Sequence, residues 1–542
     1  MASAIAALCP ALGLTAQKPD PLSAGVITTA EIDAHVKFLA SDLLEGRAPG
    51  TRGGQLAAAY IASHLATEGV APAVSGSYFQ QVPIDVVTPD RSRLRAQASG
   101  KATDVLRDPE DVVVGPGSAT ESSQARGELV FVGYGATAPE YKWDDFKGLD
   151  MAGKILLILV NDPPATPEEP TLFGGKAMVY YGRWTYKYEE AERRGAVGAL
   201  IVHTAERAGY PWHTVVSSWD RELRMLPREP SAPAPLGVRG WITDSAASAL
   251  LAHAGLDMGR LRAQAASRDF RPVPTGITLD INFPNRVEHV QSENVVGVVR
   301  GRDPAVDTQC VVFTAHWDHL GIGPAVNGDS IYHGAEDNAS GVADVLAMAR
   351  AAVVAPRPRR SLLFVFVTAE ESGLLGSAYF AQHPVVPIED VVADLNIDGG
   401  NVLGRVRDIT ALGDGKSALG PALARFASAR GLQIAPEDHP EQGHFYRSDH
   451  FSFAKAGVPS LSIGAGNDYV GRPTGWGKER EEDYTAHRYH QPSDKYDPTW
   501  DLRGAVQLAT LVLGFGTELA NARALPQWNP DAEFHRSNSV KS

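Results

Sequence analysis

The chain has 542 residues, of which 44% are hydrophobic and 21% are charged, and its formal net charge is -14. This length suits roughly two or three domains of a globular protein. The negative charge argues against nucleic acid or an anionic membrane surface as the main partner. The cysteines, Cys9 and Cys310, are too few for a disulfide framework or a cysteine-based zinc module.

The first 27 residues are predicted to be an export signal with a linker. Residues 2–16 are small and apolar, and Leu14-Thr15-Ala16 offers a conceivable signal-peptidase site. The segment lacks a basic start, and it is too short to cross a bilayer as a helix. Export to the periplasm or the medium is favoured, with a cytoplasmic location left open. No later stretch is apolar enough for a membrane span, so the mature protein is predicted to be soluble.

Residues 28–110 are predicted to form the first part of the main domain. A helical pattern and a glycine-rich turn at 47–54 lead into a second helix, which Gly69 ends. The apolar faces of the two helices are predicted to consist of Ile32, Val36, Leu39 and Leu43, and of Leu56, Tyr60, Ile61 and Leu65.

Residues 111–274 are predicted to form a small β-rich insert. Short apolar runs at 127–133, 154–160 and 195–203 are typical of strands, and the proline-rich stretch 227–235 is typical of an exposed loop.

Residues 275–525 alternate strands with helices, and a tail follows at 526–542. The pattern predicts an α/β fold with a mixed, mostly parallel central sheet flanked by helices. The predicted strands are 294–299, 310–315, 362–368, 391–396 and 460–463, and one clear helix is 341–355.

Acidic and imidazole side chains follow several of these strands. His316-Trp317-Asp318, Glu370-Glu371 and Asp398 come after successive strands, Asp337 precedes a helix, and His490 comes much later. Ligands of open α/β sheets bind at the carboxyl ends of the strands. Each residue alone fits a helix cap or a loop hydrogen bond. Together they would be costly to bury without a cation, and imidazole with carboxylate suits Zn, Mn or Co.

These motifs resemble the M28 metallopeptidases, which include aminopeptidases and glutamate carboxypeptidases. The resemblance is carried by TAHWDHLG, GAEDNASG, TAEESG, LNIDGG and RYHQPSD, with SDLLEGRAPGTRGG before them and FYRSDHFSFAKAGVPSLSIG in between. It implies the zinc exopeptidase fold, and the β-rich insert resembles a protease-associated domain. Relatives often have Asp-Asp before the asparagine, where this chain has Glu336-Asp337.

The resemblance implies two divalent metal ions of the zinc type, about 3.5–4 Å apart, with a bridging water as nucleophile. Asp337 would bridge the ions, His316 and Asp398 would complete one, and Glu371 and His490 the other. Glu370 would act as general base rather than as a ligand.

Further roles are predicted around these ligands. Asp318 would orient His316 and Asp494 would do the same near His490. Tyr489 would face the developing oxyanion or simply pack beside the site. Arg447 would bind substrate or form a structural salt bridge.

The function implied is an aminopeptidase that acts on peptides. A carboxypeptidase of the glutamate-carboxypeptidase type remains open, because the same metal core serves both directions. A single-zinc cyclase is disfavoured because all five ligands are present, and a non-catalytic binding protein is disfavoured for the same reason. The segment 473–487 is predicted to be a loop inserted near the cleft.

Overall fold

The computed structural model describes residues 26–219 and 221–536. The predicted export segment, residues 2–16, and the end of the predicted tail, residues 537–542, lie outside the described residues.

Helices are distributed along the whole described chain. In the described part no helix is both long enough and apolar enough to cross a membrane. The helices are α1 (Thr29–Leu39), α2 (Arg52–Thr67), α3 (Trp184–Arg193), α4 (Ala205–Ala208), α5 (Trp212–Trp219), α6 (Asp244–His253), α7 (Met258–Ala265), α8 (Gly341–Val354), α9 (Leu375–Gln382), α10 (Leu419–Ser428), α11 (His450–Lys455), α12 (Trp476–His487) and α13 (Arg503–Asn521).

The strands fall into two groups, one before and one after the middle of the chain. The first group is β1 (Ala71–Pro72), β2 (Phe79–Pro89), β3 (Arg95–Ser99), β4 (Thr103–Val105), β5 (Val112–Pro116), β6 (Ser122–Phe131), β7 (Thr137–Ala138), β8 (Trp143–Asp144), β9 (Ile155–Leu159), β10 (Gly198–His203), β11 (Leu223–Met225) and β12 (Val238–Thr243). The second group is β13 (Val273–Val299), β14 (Cys310–His316), β15 (Gly321–Val326), β16 (Asp329–Tyr332), β17 (Ser361–Val367), β18 (Val391–Asn396), β19 (Asp408–Leu412), β20 (Gln433–Ile434) and β21 (Ser460–Ala465).

The main sheet is mixed, with parallel strands at its centre. β14 pairs in parallel with β17 on one side and β18 on the other, and β18 pairs in parallel with β21. β13 and β19 pair antiparallel with this centre. Both faces of the central strands are buried: Phe313 packs in the core that includes α8 and α13, and Val312 packs with Phe380 of α9 and Phe453 of α11. The predicted α/β fold with a mixed, helix-flanked sheet is confirmed.

One long strand, β13, connects the main sheet to a second sheet. Its residues 285–299 pair with β2 and β17, whereas residues 278–282 pair with β3 and β6. The second sheet continues from β6 through β9, β10 and β12 to β5. The change of domain that the sequence predicts at residue 275 thus lies inside a continuous strand that both sheets share.

The first two helices depart from their predicted apolar faces at Leu43 and Leu56. Helix α1 ends at Leu39, so Leu43 is 73% exposed while Leu44 is buried. In α2 the buried stripe runs through small residues together with Ile61 and Leu65, and Leu56 is 40% exposed. Alanine at these positions lets α2 approach the core closely, which turns the larger Leu56 outward.

The segment 473–487, predicted to be an inserted loop, contains helix α12 instead. Glu, Arg and Lys occur on all sides of this helix, and Gly477 is its one buried residue in the described structure. A helix without an apolar face lacks the periodicity by which helices are recognised in a sequence.

A buried histidine lies between α1 and α2. His35 is 6% exposed, its Nδ1 lies 2.9 Å from the Tyr60 hydroxyl, and its ring meets that of His64 edge-on. Burial, with His64 and Arg350 nearby, lowers the pKa of His35 to about 4.

We expect His35 to weaken the fold between about pH 6.5 and pH 4. In that range residue 35 becomes protonated in the unfolded chain but stays neutral in the folded protein. The free energy of unfolding therefore falls by about 3 kcal/mol. His35→Gln should remove most of this loss in unfolding experiments at pH 7.5 and 4.5. His213→Gln, at an exposed position, is the control, and an unchanged pH dependence in His35→Gln would contradict the prediction.

Candidate metal centre and active site

Three parallel strands bring the predicted residues to one edge of the main sheet. His316 is the last residue of β14 and pairs with Val367 at the end of β17. Glu370 and Glu371 follow β17 directly, and Asp398 follows β18. The shared direction of these strands places all four side chains at the same edge.

Asp337 reaches this edge from a tight turn before α8. Its backbone N–H and that of Glu336 donate to the Asp494 carboxylate over 3.1 and 3.0 Å. Below the turn lies Arg47, which is fully buried and donates hydrogen bonds to backbone carbonyls, among them Gly334 at 2.6 Å and Asp337 at 3.3 Å. The turn is therefore held from both sides through its backbone, and the Asp337 side chain remains available.

The Asp337 carboxylate lies between two imidazoles. Its Oδ1 is 3.2 Å from Nε2 of His316, and its Oδ2 is 3.3 Å from Nε2 of His490. Each imidazole also meets one further carboxylate: His316 Nε2 is 3.1 Å from Asp398 Oδ1, and His490 Nε2 is 3.0 Å from Glu371 Oε2. The structure thus brings together all five residues predicted to bind metal.

This donor set fits a divalent cation. Nδ1 of His316 donates to the backbone carbonyl of Asp318 at 3.2 Å, so a neutral His316 directs the lone pair of Nε2 at two carboxylates. Only a proton or a metal ion can satisfy that arrangement. Ligand atoms of His316, Asp337 and Glu371 lie within 4.8 Å of one another, and imidazole with carboxylate oxygen is a zinc-type set.

The pKa shifts of the two imidazoles also indicate that the site favours positive charge. Burial lowers the pKa of His316, but Asp398 and Glu370 outweigh it and raise that pKa well above its usual value. Against burial, Glu371 and Asp337 raise the pKa of His490 to about 10. Both shifts show that the carboxylates favour positive charge at these imidazoles, which is the charge that a bound cation would supply.

Glu370 is in a different environment from its neighbour Glu371. Burial, with help from Glu371 and Asp398, raises the pKa of Glu370 well above its usual value. In Glu371 burial is outweighed by the positive field of His490 and His319, and its pKa falls to about 2. Two adjacent carboxylates with opposite shifts are suited to two roles, one as a proton acceptor and one as a ligand.

The carboxylates of Asp318 and Asp494 accept hydrogen bonds mainly from backbone N–H groups of the site. The carbonyl oxygen of Asp318 accepts from His316, whereas its carboxylate is 3.9 Å from the same nitrogen and accepts the Glu370 N–H at 3.1 Å. Asp494 supports the Asp337 turn as described above, and its contact with Tyr484 is a 3.3 Å hydrogen bond.

Tyr489 and Arg447 lie at the open side of the cluster. The Tyr489 ring stacks on His490 with centroids 3.8 Å apart, and the residue is 38% exposed. Arg447 is exposed and acts electrostatically on Tyr489. The next residue, Ser448, donates to Asp398 Oδ2 at 2.5 Å, which ties this segment to the metal ligands.

Three residues of the site are missed by sequence reasoning. His319 is buried, with Nδ1 2.6 Å from Glu371 Oε1. Ser448 and Arg47 lie within the motifs quoted above but have no predicted role. The position of His319, three residues after His316, is the one local signal; the contacts of Ser448 and Arg47 join segments far apart in sequence.

The fold and this cluster define an α/β domain with a candidate site for divalent metal at the carboxyl edge of its central sheet. Residues 294–514 match the model of peptidase family M28. The predicted resemblance to the M28 metallopeptidases is confirmed for this part of the chain.

Curated relatives are similar over parts of the chain. The probable leucine aminopeptidase 2 of Aspergillus oryzae (strain ATCC 42149 / RIB 40) is 24% identical over 272 residues, which are 48% of this chain and 51% of the relative. Aminopeptidase NAALADL1 of Mus musculus is 33% identical over 132 residues, 23% of this chain and 16% of the relative. The chain thus spans about half of the first relative's length and less of the second's.

Solved structures align over most of the chain at low identity. An aminopeptidase from Aneurinibacillus sp. strain AM-1 is 20% identical with a TM-score of 0.49, covering 94% of this chain and 98% of its own. BSAP, a zinc aminopeptidase from Bacillus subtilis, is 18% identical with a TM-score of 0.41, covering 91% and 95%.

Proposed function

We propose that this protein is a zinc-dependent aminopeptidase with two metal ions. His316 and Asp398 would hold one ion, Glu371 and His490 the other, and Asp337 both. The observation that carries the proposal is the Asp337 carboxylate, which turns one oxygen toward each imidazole at 3.2 and 3.3 Å. A single ion would leave one of these pairs of imidazole and carboxylate without its cation.

Zinc bound here would supply Lewis acidity toward the scissile carbonyl and would acidify water. Glu370 would take the proton of the attacking water, because its raised pKa suits a carboxylate that must accept and then release a proton. The same proton would then pass to the leaving amine. Tyr489, stacked on His490, is placed to donate to the developing oxyanion.

The direction of cleavage follows from the charge of the site. Four carboxylates surround the centre, from Asp337, Glu370, Glu371 and Asp398, and Glu336 stands beside them. Two zinc ions would offset most of this charge, so the acidic surroundings favour the ammonium group of a free amino terminus over a carboxylate by a modest margin. The carboxypeptidase alternative would need the opposite charge next to the scissile bond.

We expect hydrolysis only of peptides with a free amino terminus. Matched peptides, free or acetylated at the amino end, are incubated with the zinc-supplemented protein, and the released amino acids are identified. Activity should disappear with a chelator and return with zinc. Release of carboxy-terminal residues from acetylated peptides would contradict the proposal in favour of a carboxypeptidase.

We also propose that the second sheet is a protease-associated insert and that the protein is exported. The insert proposal is supported by its β-rich pattern and by its place between the two parts of the main domain. The export proposal rests on residues 2–16 of the sequence alone.

A further inference from the structure

A row of buried polar side chains lies behind the candidate metal ligand Asp398. Asp394 and Asn396 are on β18, Thr314 is on the neighbouring strand β14, and Ser448 comes shortly before α11. Asp394, Asn396 and Thr314 are fully buried, and Ser448 is 6% exposed. Bulk water therefore cannot complete their hydrogen bonds, and each donor must find its acceptor within the protein. These four side chains are called the polar row below.

Short contacts join the polar row to Asp398. Asp394 Oδ1 lies 2.9 Å from Thr314 Oγ1, and the same Oγ1 lies 2.9 Å from Asn396 Oδ1. Asn396 Nδ2 lies 2.8 Å from Ser448 Oγ, which lies 2.5 Å from Asp398 Oδ2. The other oxygen of Asp398 is the one that faces an imidazole of the centre, at 3.1 Å. The row thus ends on the oxygen of Asp398 that points away from that imidazole.

The proton of each group can be assigned from the Asp398 end. A carboxylate that binds metal carries no proton, so Ser448 must donate its O–H to Asp398. Ser448 then accepts from Asn396, whose amide nitrogen therefore faces Ser448 and whose amide oxygen faces Thr314. Because an amide oxygen can only accept, Thr314 donates its single proton to Asn396.

Asp394 is left to supply the last proton. Thr314 has no second proton to donate, so its 2.9 Å contact with Asp394 Oδ1 is a hydrogen bond only if Asp394 carries an O–H there. The other carboxyl oxygen, Oδ2, is buried and has no hydrogen-bond partner within residues 26–219 and 221–536. A negative charge on it would be uncompensated, whereas a neutral carbonyl oxygen costs much less to bury. Burial also raises the pKa of Asp394 well above its usual value.

We propose that Asp394 is a neutral positioning residue, which orients the zinc ligand Asp398 through the other members of the polar row. The inference rests on the proposed two-metal site. With every donor directed toward Asp398, Ser448 holds its Oδ2, and its Oδ1 stays turned toward the imidazole that shares its ion. An ionised Asp394 would instead take the proton of Thr314, and the Asn396 oxygen would lose its donor.

Infrared spectroscopy tests the proton on Asp394 without a measurement of activity. A protonated carboxyl group has a carbonyl stretch that a carboxylate lacks. The spectrum of the zinc-loaded wild type minus that of zinc-loaded Asp394→Asn isolates this band, which we expect to be present. Thr314→Val should shift it, because the O–H loses its acceptor. Absence of the band at pH 7.5 would show that Asp394 is ionised and would overturn the proposal.

Zinc titration against a competing chelator tests the positioning role. Thr314→Val removes the hydroxyl with little change of shape and should weaken one of the two zinc-binding steps by about tenfold, as expected for a group that supports a ligand. The other step should be unchanged, a result that a general loss of folding would not give. In an Asp398→Ala background the same substitution should have no further effect. An unchanged affinity at both steps in Thr314→Val would overturn the proposal.

Three control variants separate the proton from the charge and from the fold. Thr314→Ser keeps the hydroxyl, and Asp394→Asn replaces the O–H with an N–H donor, so both should bind zinc as the wild type does. Thr410→Val makes the same change on β19, where the hydroxyl lies 3.4 Å from the Ala465 carbonyl, and should leave both steps unchanged. If Asp394→Asn weakened zinc as much as Thr314→Val, the charge of Asp394 would matter and its neutral role would be refuted. Thermal unfolding shows whether each variant is folded, and the infrared band decides if Thr314→Val is not.

The peptidase function and the polar row would fail in different ways. If the wild type binds two equivalents of zinc, Thr314→Val weakens one step and no peptide is hydrolysed, the peptidase function fails and the positioning role stands. If peptides are hydrolysed but neither zinc step responds to Thr314→Val, the positioning role fails and the peptidase function stands. A protein that binds no zinc would overturn both.

Discussion

Glu370→Gln is expected to lower kcat by about 10²- to 10⁴-fold, the usual contribution of a positioned general base. The amide has nearly the shape of the carboxylate but cannot take a proton from water. The backbone N–H of residue 370 would still donate to the Asp318 carboxylate, so the fold and the metal content should stay as in the wild type. Steady-state kinetics and elemental analysis of the purified variant measure both.

Glu371→Gln is the matched comparison, since it makes the same chemical change one residue away. Glu371 contacts His490 at 3.0 Å and His319 at 2.6 Å, and its low pKa marks it as a permanent anion. This variant should lose zinc as well as activity. If Glu370→Gln kept more than a tenth of the wild-type kcat, or lost its zinc, the assignment of the base would be wrong.

The strands that carry the site can be predicted closely from the sequence. The predicted strand 391–396 agrees with β18, and 310–315 falls one residue short of the end of β14. Parallel strands with helices on both faces are continuous apolar runs, so their ends stand out where polar residues begin. The polar residues at those ends are the candidate ligands themselves.

Other parts of the fold cannot be recognised from patterns in the local sequence. The 27 residues of β13 change from one sheet to the other without a turn, so the sequence offers no break at the place where the sheets meet. Helix α12 is polar on all sides, and its sequence predicts a loop. Helix α12 has no periodic burial, and the alternating burial of β13 does not mark the point where the strand passes from one sheet to the other.

Contacts between segments that are distant in sequence cannot be predicted from local patterns either. Arg47 binds carbonyls of residues 287 and 290 positions away, and Tyr180 meets Phe451 only because the two domains pack together. In the sequence, neither residue differs from others of its type. Their roles become visible only when burial and partners are known.

Asp337→Ala is expected to abolish metal binding at both positions, because its two oxygens face different imidazoles. Zinc affinity should fall by more than about 100-fold, beyond the 10- to 100-fold loss usual for groups that merely support a ligand. Peptide hydrolysis should fall to background. The turn should survive, since Asp494 and Arg47 hold it through backbone atoms.

The comparison with Asp398→Ala tests whether Asp337 is a bridge. Asp398 meets only His316 among the imidazoles of the described centre, so its removal should cost one equivalent of zinc, while removal of Asp337 should cost two. Zinc titration against a competing chelator counts the equivalents. Thermal unfolding with and without zinc reports them independently, because an ion that binds only the folded protein raises its stability. A loss of one equivalent in both variants would reduce Asp337 to an ordinary ligand, and the geometry of a shared carboxylate would then need a different explanation from two adjacent ions.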